Sequence, residues 1–355
     1  FDDTTSNTKI RRYKAHPNYD DPYYCDYSGT PDDYCTANGI SATSCYEDVP
    51  LDAISPLFEA GRLLALAEPE ERKIFTYIDD DADSVVDETA YDAFDSSDEV
   101  ISFSKNNASA LTPYLGVING STADGFAYLG SDHATRVDNL IDYIRGVDFF
   151  DSYNNPTMRN RTTNEIDGSD HVWKLGDIVH STPVSVSKPT DNYHIIYSDQ
   201  SYQTYLDAVK NRETAVYVGA NDGMLHAFTS GTYNSANGQY SDPADMTVSV
   251  TDASGTVDLT VDMSLGSELW AYIPQTLLPH LKFLADPDYT HVYYVDMKPK
   301  VFDAKILPPN THHSSGTDPS WGTFLLVGLN LGGKRIWTNE FDTSGDGTVD
   351  AGDTP

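Results

Sequence analysis

Basic residues are scarce in this chain. It has 22 Lys and Arg against 55 Asp and Glu, a formal net charge of −33 at pH 7. Such a surface repels phosphate backbones and anionic lipid headgroups, which argues against nucleic acids as partners. It reads as a solubilising surface, with some of its Asp residues placed to hold Ca²⁺. Long apolar runs are also missing: no stretch approaches the roughly 20 apolar residues of a membrane-spanning helix. Cysteine is limited to Cys25, Cys35 and Cys45. None forms a Cys-x-x-Cys pair or stands directly before His, so the usual zinc, dithiol-redox and haem-attachment spacings are absent. The three sit in a Tyr/Asp/Gly-rich stretch. They are disulfide candidates: a loop staple with one thiol left for another segment or chain, in an oxidising compartment. The chain opens on Phe1-Asp2-Asp3 with no basic, apolar leader, as expected of a mature chain or a fragment.

What is present is aromatic and turn-rich. The 24 Tyr, 13 Phe and 4 Trp supply packing area, and 355 residues suffice for a large core. Residues 1–56 are acidic and rich in turn formers, an arm or insertion rather than a core-forming unit. Asp2-x-Thr4-x-Ser6 has the spacing of a metal-adhesion motif but lacks the buried strand that must precede one. Residues 51–67 read as a short helix or turn and then an apolar segment, and Arg72 to Ile78 as a strand. Val137, Leu140, Ile141 and Ile144 recur at helical spacing over 132–146, with Gly146 as the stop. Residues 147–170 are expected to be a loop, and 175–186 a strand. The Ser/Thr/Asp/Gly-rich residues 230–267 form an insertion with a hairpin at 247–251 and 257–261. Leu277, Leu281 and Leu284 mark a short helix. Strands are expected at 291–295, 300–304 and 323–328.

The most informative stretch is Val216-Tyr-Val-Gly-Ala-Asn-Asp-Gly-Met-Leu-His-Ala-Phe228. An apolar run ends in a Gly-Ala-Asn-Asp-Gly turn, and alternation resumes beyond it: strand, tight turn, strand. Glu268-Leu-Trp-Ala-Tyr-Ile-Pro274 adds a short aromatic strand. Repeated units of this kind make the chain all-β dominated, a β-propeller, partial in this chain, with short connecting helices. Asp177 and His180 could be taken for a catalytic pair, but in a strand-entry turn they are expected to hold a blade corner. His226, alternating with apolar neighbours, reads as packed or hydrogen-bonded. Arg145 is expected to cap its helix or pair with a nearby Asp.

The wording of these motifs resembles the C-terminal propeller of the PilC/PilY family, over roughly residues 57–341. Gly61-Arg62 with Ile74-Phe-Thr-Tyr77, Tyr143-Ile-Arg-Gly146, the Leu-Gly-Asp-Ile-Val-His-Ser-x-Pro motif at 175–183, the Val216 hairpin, Leu269-Trp-Ala-Tyr-Ile-Pro274, Tyr289-Thr-His-Val-Tyr-Tyr-Val-Asp296 and Trp321-Gly-Thr-Phe-Leu-Leu-Val-Gly328 follow in the family's order. The resemblance implies a type IV pilus tip and biogenesis factor, exported through the periplasm and displayed outside the cell. It implies major or minor pilins as partners, and adhesion to a host or abiotic surface. The family's N-terminal adhesion-type domain is absent here and its propeller runs on, so a further segment or another chain is expected to close the ring. Two other readings compete. Similar Asp-Gly-x-Leu-x-Ala-Phe hairpins occur in quinone-dependent dehydrogenases, which often carry adjacent cysteines that this chain lacks. An extracellular adhesin or scaffold unrelated to pili is the third.

The end of the chain carries cation chemistry. Asp342, Ser344, Asp346, Asp350 and Asp353 fall at positions one, three, five, nine and twelve of an EF-hand-type loop spanning 342–355. Gly347 takes the sharp turn at position six and Thr348 offers its carbonyl at seven. All donors are oxygen, the set that Ca²⁺ takes. A weaker candidate is Asp79, Asp81, Asp83 and Asp87, with Ser84 in place of the turn glycine. Without a cation, either cluster of carboxylates repels itself, so Ca²⁺ is expected to order the loop.

Overall fold

The computed structural model describes residues 9–13, 46–50, 58–78, 99–117, 126–149, 158–189, 191–234, 239–241, 243, 245–252, 255–307 and 320–330. The chain divides into two compact units, Phe1–Leu57 and Phe58–Pro355. In the first, β1 (Lys9–Tyr13) and β2 (Tyr46–Pro50) form an antiparallel pair.

The second unit runs α1 (Ala60–Leu66), β3 (Ile74–Tyr77), β4 (Val100–Ser102), α2 (Ala108–Leu111), α3 (His133–Arg145), β5 (Thr162–Thr163), β6 (His171–Val172), β7 (Val184–Val186), α4 (Tyr193–Ile196) and α5 (Gln200–Val209). It continues with β8 (Ala215–Gly219), β9 (Leu225–Thr229), β10 (Thr232–Asn234), β11 (Gln239–Ser241), β12 (Met246–Asp252), β13 (Gly255–Val261), β14 (Glu268–Ile273), β15 (Lys300–Lys305) and β16 (Trp321–Leu326). Six strands make one sheet in the order β4-β3-β14-β9-β8-β7, antiparallel except where β3 runs parallel to β14. The other described sheets are two-stranded: β5–β6, β10–β11, β12–β13 and β15–β16. None closes on itself among the described residues.

The hairpin β8–β9 pairs Val216 with Phe228 and Val218 with His226 around the turn at 220–224. Gly223 sits at φ +93, a conformation that any side chain would strain. All five residues of β9 are buried, so this strand lies covered on both faces. The core beneath the sheet joins Ile74, Phe103, Ile273 and Met224 to α3 and to the 3-10 helix Gln275–Ala285. The spacing of Val137, Leu140, Ile141 and Ile144 turns one face of α3 into that core, each side chain contributing about 1.5–3 kcal/mol by its burial. Asp132 caps the start of α3 by accepting from the Thr135 N–H at 3.0 Å, and Gly146 ends it, its N–H reaching the Asp142 and Tyr143 carbonyls.

Two expected strands are not strands. Only Val184–Val186 of the 175–186 segment joins a ladder, and 291–295 joins none. Their backbone groups are taken by the hairpin turn. The Gly176 N–H donates to Asp222, the Asn221 N–H donates to the Asp177 carbonyl, and the Tyr294 N–H donates to the Asn221 side chain. A backbone satisfied by side chains has no need of a neighbouring strand. The loop expected at 147–170 contains the short strand β5, which pairs with β6.

Candidate functional site

Several of the family-like motifs adjoin one buried place at the β9–β14 pair, with Arg72 and Glu268 standing just before two of them. Arg72, just before β3, makes a two-pronged ion pair with Glu268 at the start of β14, Nε to Oε2 at 2.8 Å and Nη2 to Oε1 at 3.0 Å. Glu268 Oε1 also faces His226 Nδ1 at 2.7 Å, and His226 Nε2 faces Asp222 Oδ2 at 3.0 Å. Asp222 in turn accepts the Gly176 and Met224 N–H groups, at 2.7 and 3.1 Å. Cation and anion therefore alternate along Arg72, Glu268, His226 and Asp222, all of them buried. Burial alone would pull the His226 pKa down. The carboxylates on both ring nitrogens outweigh it and carry the pKa up to about 9, which makes the ring an imidazolium. Burial would likewise raise Glu268, but Arg72 and His226 hold it down at about 2.

The surrounding residues extend this lock. Arg72 Nη1 donates to the Ile144 and Arg145 carbonyls at the end of α3. Arg145 donates to the Phe103, Pro69 and Arg72 carbonyls at 2.9, 2.7 and 2.8 Å. It therefore neither pairs with an Asp nor caps its own helix, but stitches two segments to it, the connection 69–72 and the turn after β4. Burial lowers its pKa to about 10. Lys174 donates to the Ala65 carbonyl at 2.9 Å, and burial, with Arg72 and Arg161 nearby, pulls it down to about 8. Gly176 is required by close approach, since a Cβ there would lie 2.3 Å from the Asp222 nitrogen.

Asp177 and His180 do not pair with each other. Asp177 accepts from the Asn221 amide at 3.1 Å and meets His291 Nε2 at 2.8 Å. Burial would raise its pKa, but these two bonds leave it below the usual carboxylate value. His180 places Nδ1 against buried Asp296, whose other oxygen accepts the His180 N–H at 3.0 Å. The Tyr293 ring lies between the two imidazoles, 5.2 Å from His180 and 5.0 Å from His291. Ser181 is held to the backbone, donating to the Met297 carbonyl and accepting from the Gly219 N–H. The arrangement fastens the corner between 175–183 and 291–297 to the hairpin turn, as expected of a blade corner. Sequence reasoning gave Asp222 only a place in the turn and attached no role to Arg72, Glu268 or Asp296. A charged residue opening the otherwise apolar strand Glu268–Ile273 was the available signal.

Among the described residues, no group of three or more His, Cys, Asp or Glu is placed to hold a metal ion. The Ca²⁺ candidates Asp342, Ser344, Asp346, Thr348, Asp350 and Asp353, the weaker set Asp79, Asp81, Asp83 and Asp87, and Cys25, Cys35 and Cys45 lie outside the described residues. No described helix is long and apolar enough to cross a membrane.

Residues 175–351 match the family model of the PilY1 beta-propeller domain. A type IV pilus biogenesis factor PilY1 homolog of Xylella fastidiosa is 29% identical over 206 residues, 56% of this chain and 10% of the relative. The type IV pilus biogenesis factor PilY1 of Pseudomonas aeruginosa is 30% identical over 169 residues, 46% of this chain and 11% of the relative. The chain thus spans about a tenth of the length of these curated relatives. No solved structure matches it. The strand-rich, unclosed sheets and the family match together define a partial β-propeller domain. Through that domain the chain belongs to the PilC/PilY family.

Proposed function

We propose that this chain is the propeller of a type IV pilus biogenesis factor, acting outside the cell by binding pilins rather than by catalysis. The observation that carries the reading is the PilY1 propeller match over residues 175–351. The convergence of three of these motifs on one buried lock supports it: Tyr143 to Gly146, Gly176 and His226, joined by Arg72 and Glu268, hold the blade rather than present chemistry to a substrate. A rigid blade with loops at its edges suits docking on a filament. Deleting the gene in its native bacterium and counting surface pili by electron microscopy tests this. Loss of pili, restored by the intact gene, is expected; a normal count contradicts the assembly role.

The acidic loop at 342–353 is proposed to hold one Ca²⁺. Asp342, Ser344, Asp346, Asp350 and Asp353 would supply side-chain oxygens and Thr348 its carbonyl, a set suited to a hard cation. Bound Ca²⁺ would neutralise the clustered carboxylates and order the loop for pilin contact and adhesion. Calorimetric titration of Ca²⁺ into chelator-treated protein tests the site. Saturable binding abolished by Asp346→Asn with Asp350→Asn is expected, and binding unchanged in that variant would remove the assignment.

A further inference from the structure

Beside the Arg72–Glu268 pair lies a cleft of about 360 Å³ that the blade lock does not use. This is the size of a small ligand pocket, which spans roughly 300–1,000 Å³. Its walls are mixed: Leu63 and Leu66 from α1 and Met263 from the segment that follows β13 give an apolar part, and Thr260, Ser264 and Ser267 a polar one. Leu66 is 39% exposed, an aliphatic surface left to water. Glu71 and Asp262 also line the cleft, one half-buried and one exposed. Neither makes an ion pair among the described residues. On the floor, Arg72 and Glu268 satisfy each other and contribute no net charge. The cleft's charge is therefore set by Glu71 and Asp262, and it is negative.

This combination selects its occupant. A phosphate or carboxylate ligand is repelled. A wholly apolar ligand would desolvate two carboxylates without pairing them. None of the lining residues is aromatic, so a sugar ring would find nothing to stack on. A lysine or arginine side chain matches this chemistry: its aliphatic stem would lie against Leu66 and Met263 and its cationic head would pair with Glu71 and Asp262. We propose that the cleft receives a basic side chain carried, beside an aliphatic neighbour, on an extended segment of a partner protein. The inference rests on the reading that the chain acts by docking on other proteins. It adds the chemistry of the segment captured and the residues that capture it.

The test uses a fluorescein-labelled acetyl-Ala-Leu-Lys-Leu-Ala peptide and a control peptide with norleucine in place of lysine. Both are titrated with the whole chain and followed by anisotropy at about 150 mM salt, where diffuse electrostatic attraction is largely screened. Saturable binding of the lysine peptide alone is expected. The Glu71→Gln/Asp262→Asn variant should bind it about tenfold more weakly, two partly shielded ion pairs having been lost. Asp170→Asn/Asp288→Asn removes the same charge at exposed positions elsewhere and should bind like the parent. Leu66→Ser should weaken binding without altering charge. Unchanged circular dichroism and melting of each variant guard against unfolding as the cause. Equal weakening by the two charge variants, equal binding of the norleucine peptide, or no saturable binding would each overturn the proposal. Piliation is scored separately in the deletion strain, so failure of the cleft and failure of the pilus reading are told apart.

Discussion

The six-stranded sheet and the β15–β16 hairpin solve the same problem with different means. In the sheet, strands far apart in sequence, such as β3 and β14, are held by buried charges: Arg72 meets Glu268, and Glu268 meets His226. In the hairpin, neighbouring strands are held by cross-strand pairs, with Phe302 stacked on Phe324 at 5.9 Å. Its ion pair, Lys305 to Asp199, lies nearer the surface, and its more buried anchors, Trp321 to Ser201 and Tyr202 to Asp303, use uncharged donors. Leu326 and Ile306 are left 60% and 68% exposed. Local pairing suffices to make a hairpin. Bringing segments 196 residues apart to one place takes interactions that tolerate only one partner, and an alternating chain of buried ions is of that kind.

The difference predicts where the molecule is brittle. The largest effect is expected from removing one member of the central pair. Arg72→Met or Glu268→Gln leaves an uncompensated buried charge and should cost about 3–5 kcal/mol in urea unfolding. Gly176→Ala pushes a methyl onto the Asp222 nitrogen and should cost about 1–3 kcal/mol. Lys305→Ala breaks a half-exposed pair and should cost under about 1 kcal/mol, with its effect shrinking as salt is added. An equal loss from Lys305→Ala and Glu268→Gln would erase the distinction between the two regions.

pH sharpens the same contrast. The His226 pKa is raised from 6.5 to about 9, so its share of stability is fully present below about 6.5 and is lost as pH rises through about 9. Glu268 is lowered from 4.5 to about 2, so its share is present above about 4.5 and is lost as pH falls through about 2. Both contributions are whole between about pH 4.5 and 6.5. The urea midpoint should therefore fall between pH 6 and pH 9.5. That fall should be smaller in His226→Gln and unchanged in Lys305→Ala.

Much of this was legible in the sequence where the cause is local. The Val216–Phe228 hairpin, the α3 stripe with its Gly146 stop, and the β12–β13 hairpin all follow from periodicity and turn chemistry. So does the packed setting of His226, although its flanking carboxylates do not. The failures share a cause. Residues 175–183 and 291–295 have strand composition, but Asn221 and Asp222 satisfy their backbones from a turn more than 35 residues away from each. Arg145, expected to cap its helix or pair with an Asp, instead donates to carbonyls of two neighbouring segments. The cleft between α1 and the segment after β13 brings Glu71 to Asp262, a proximity that no local pattern encodes.

The central claim is that Arg72 and Glu268 lock the blade as a pair. A double-mutant cycle with Arg72→Met, Glu268→Gln and the combined variant, unfolded in urea at pH 6, tests it most directly. The account predicts that the double variant loses clearly less than the two single losses added together, with a coupling of about 1.5 kcal/mol or more. Losses that simply add would show that the two side chains act independently, and would contradict the account.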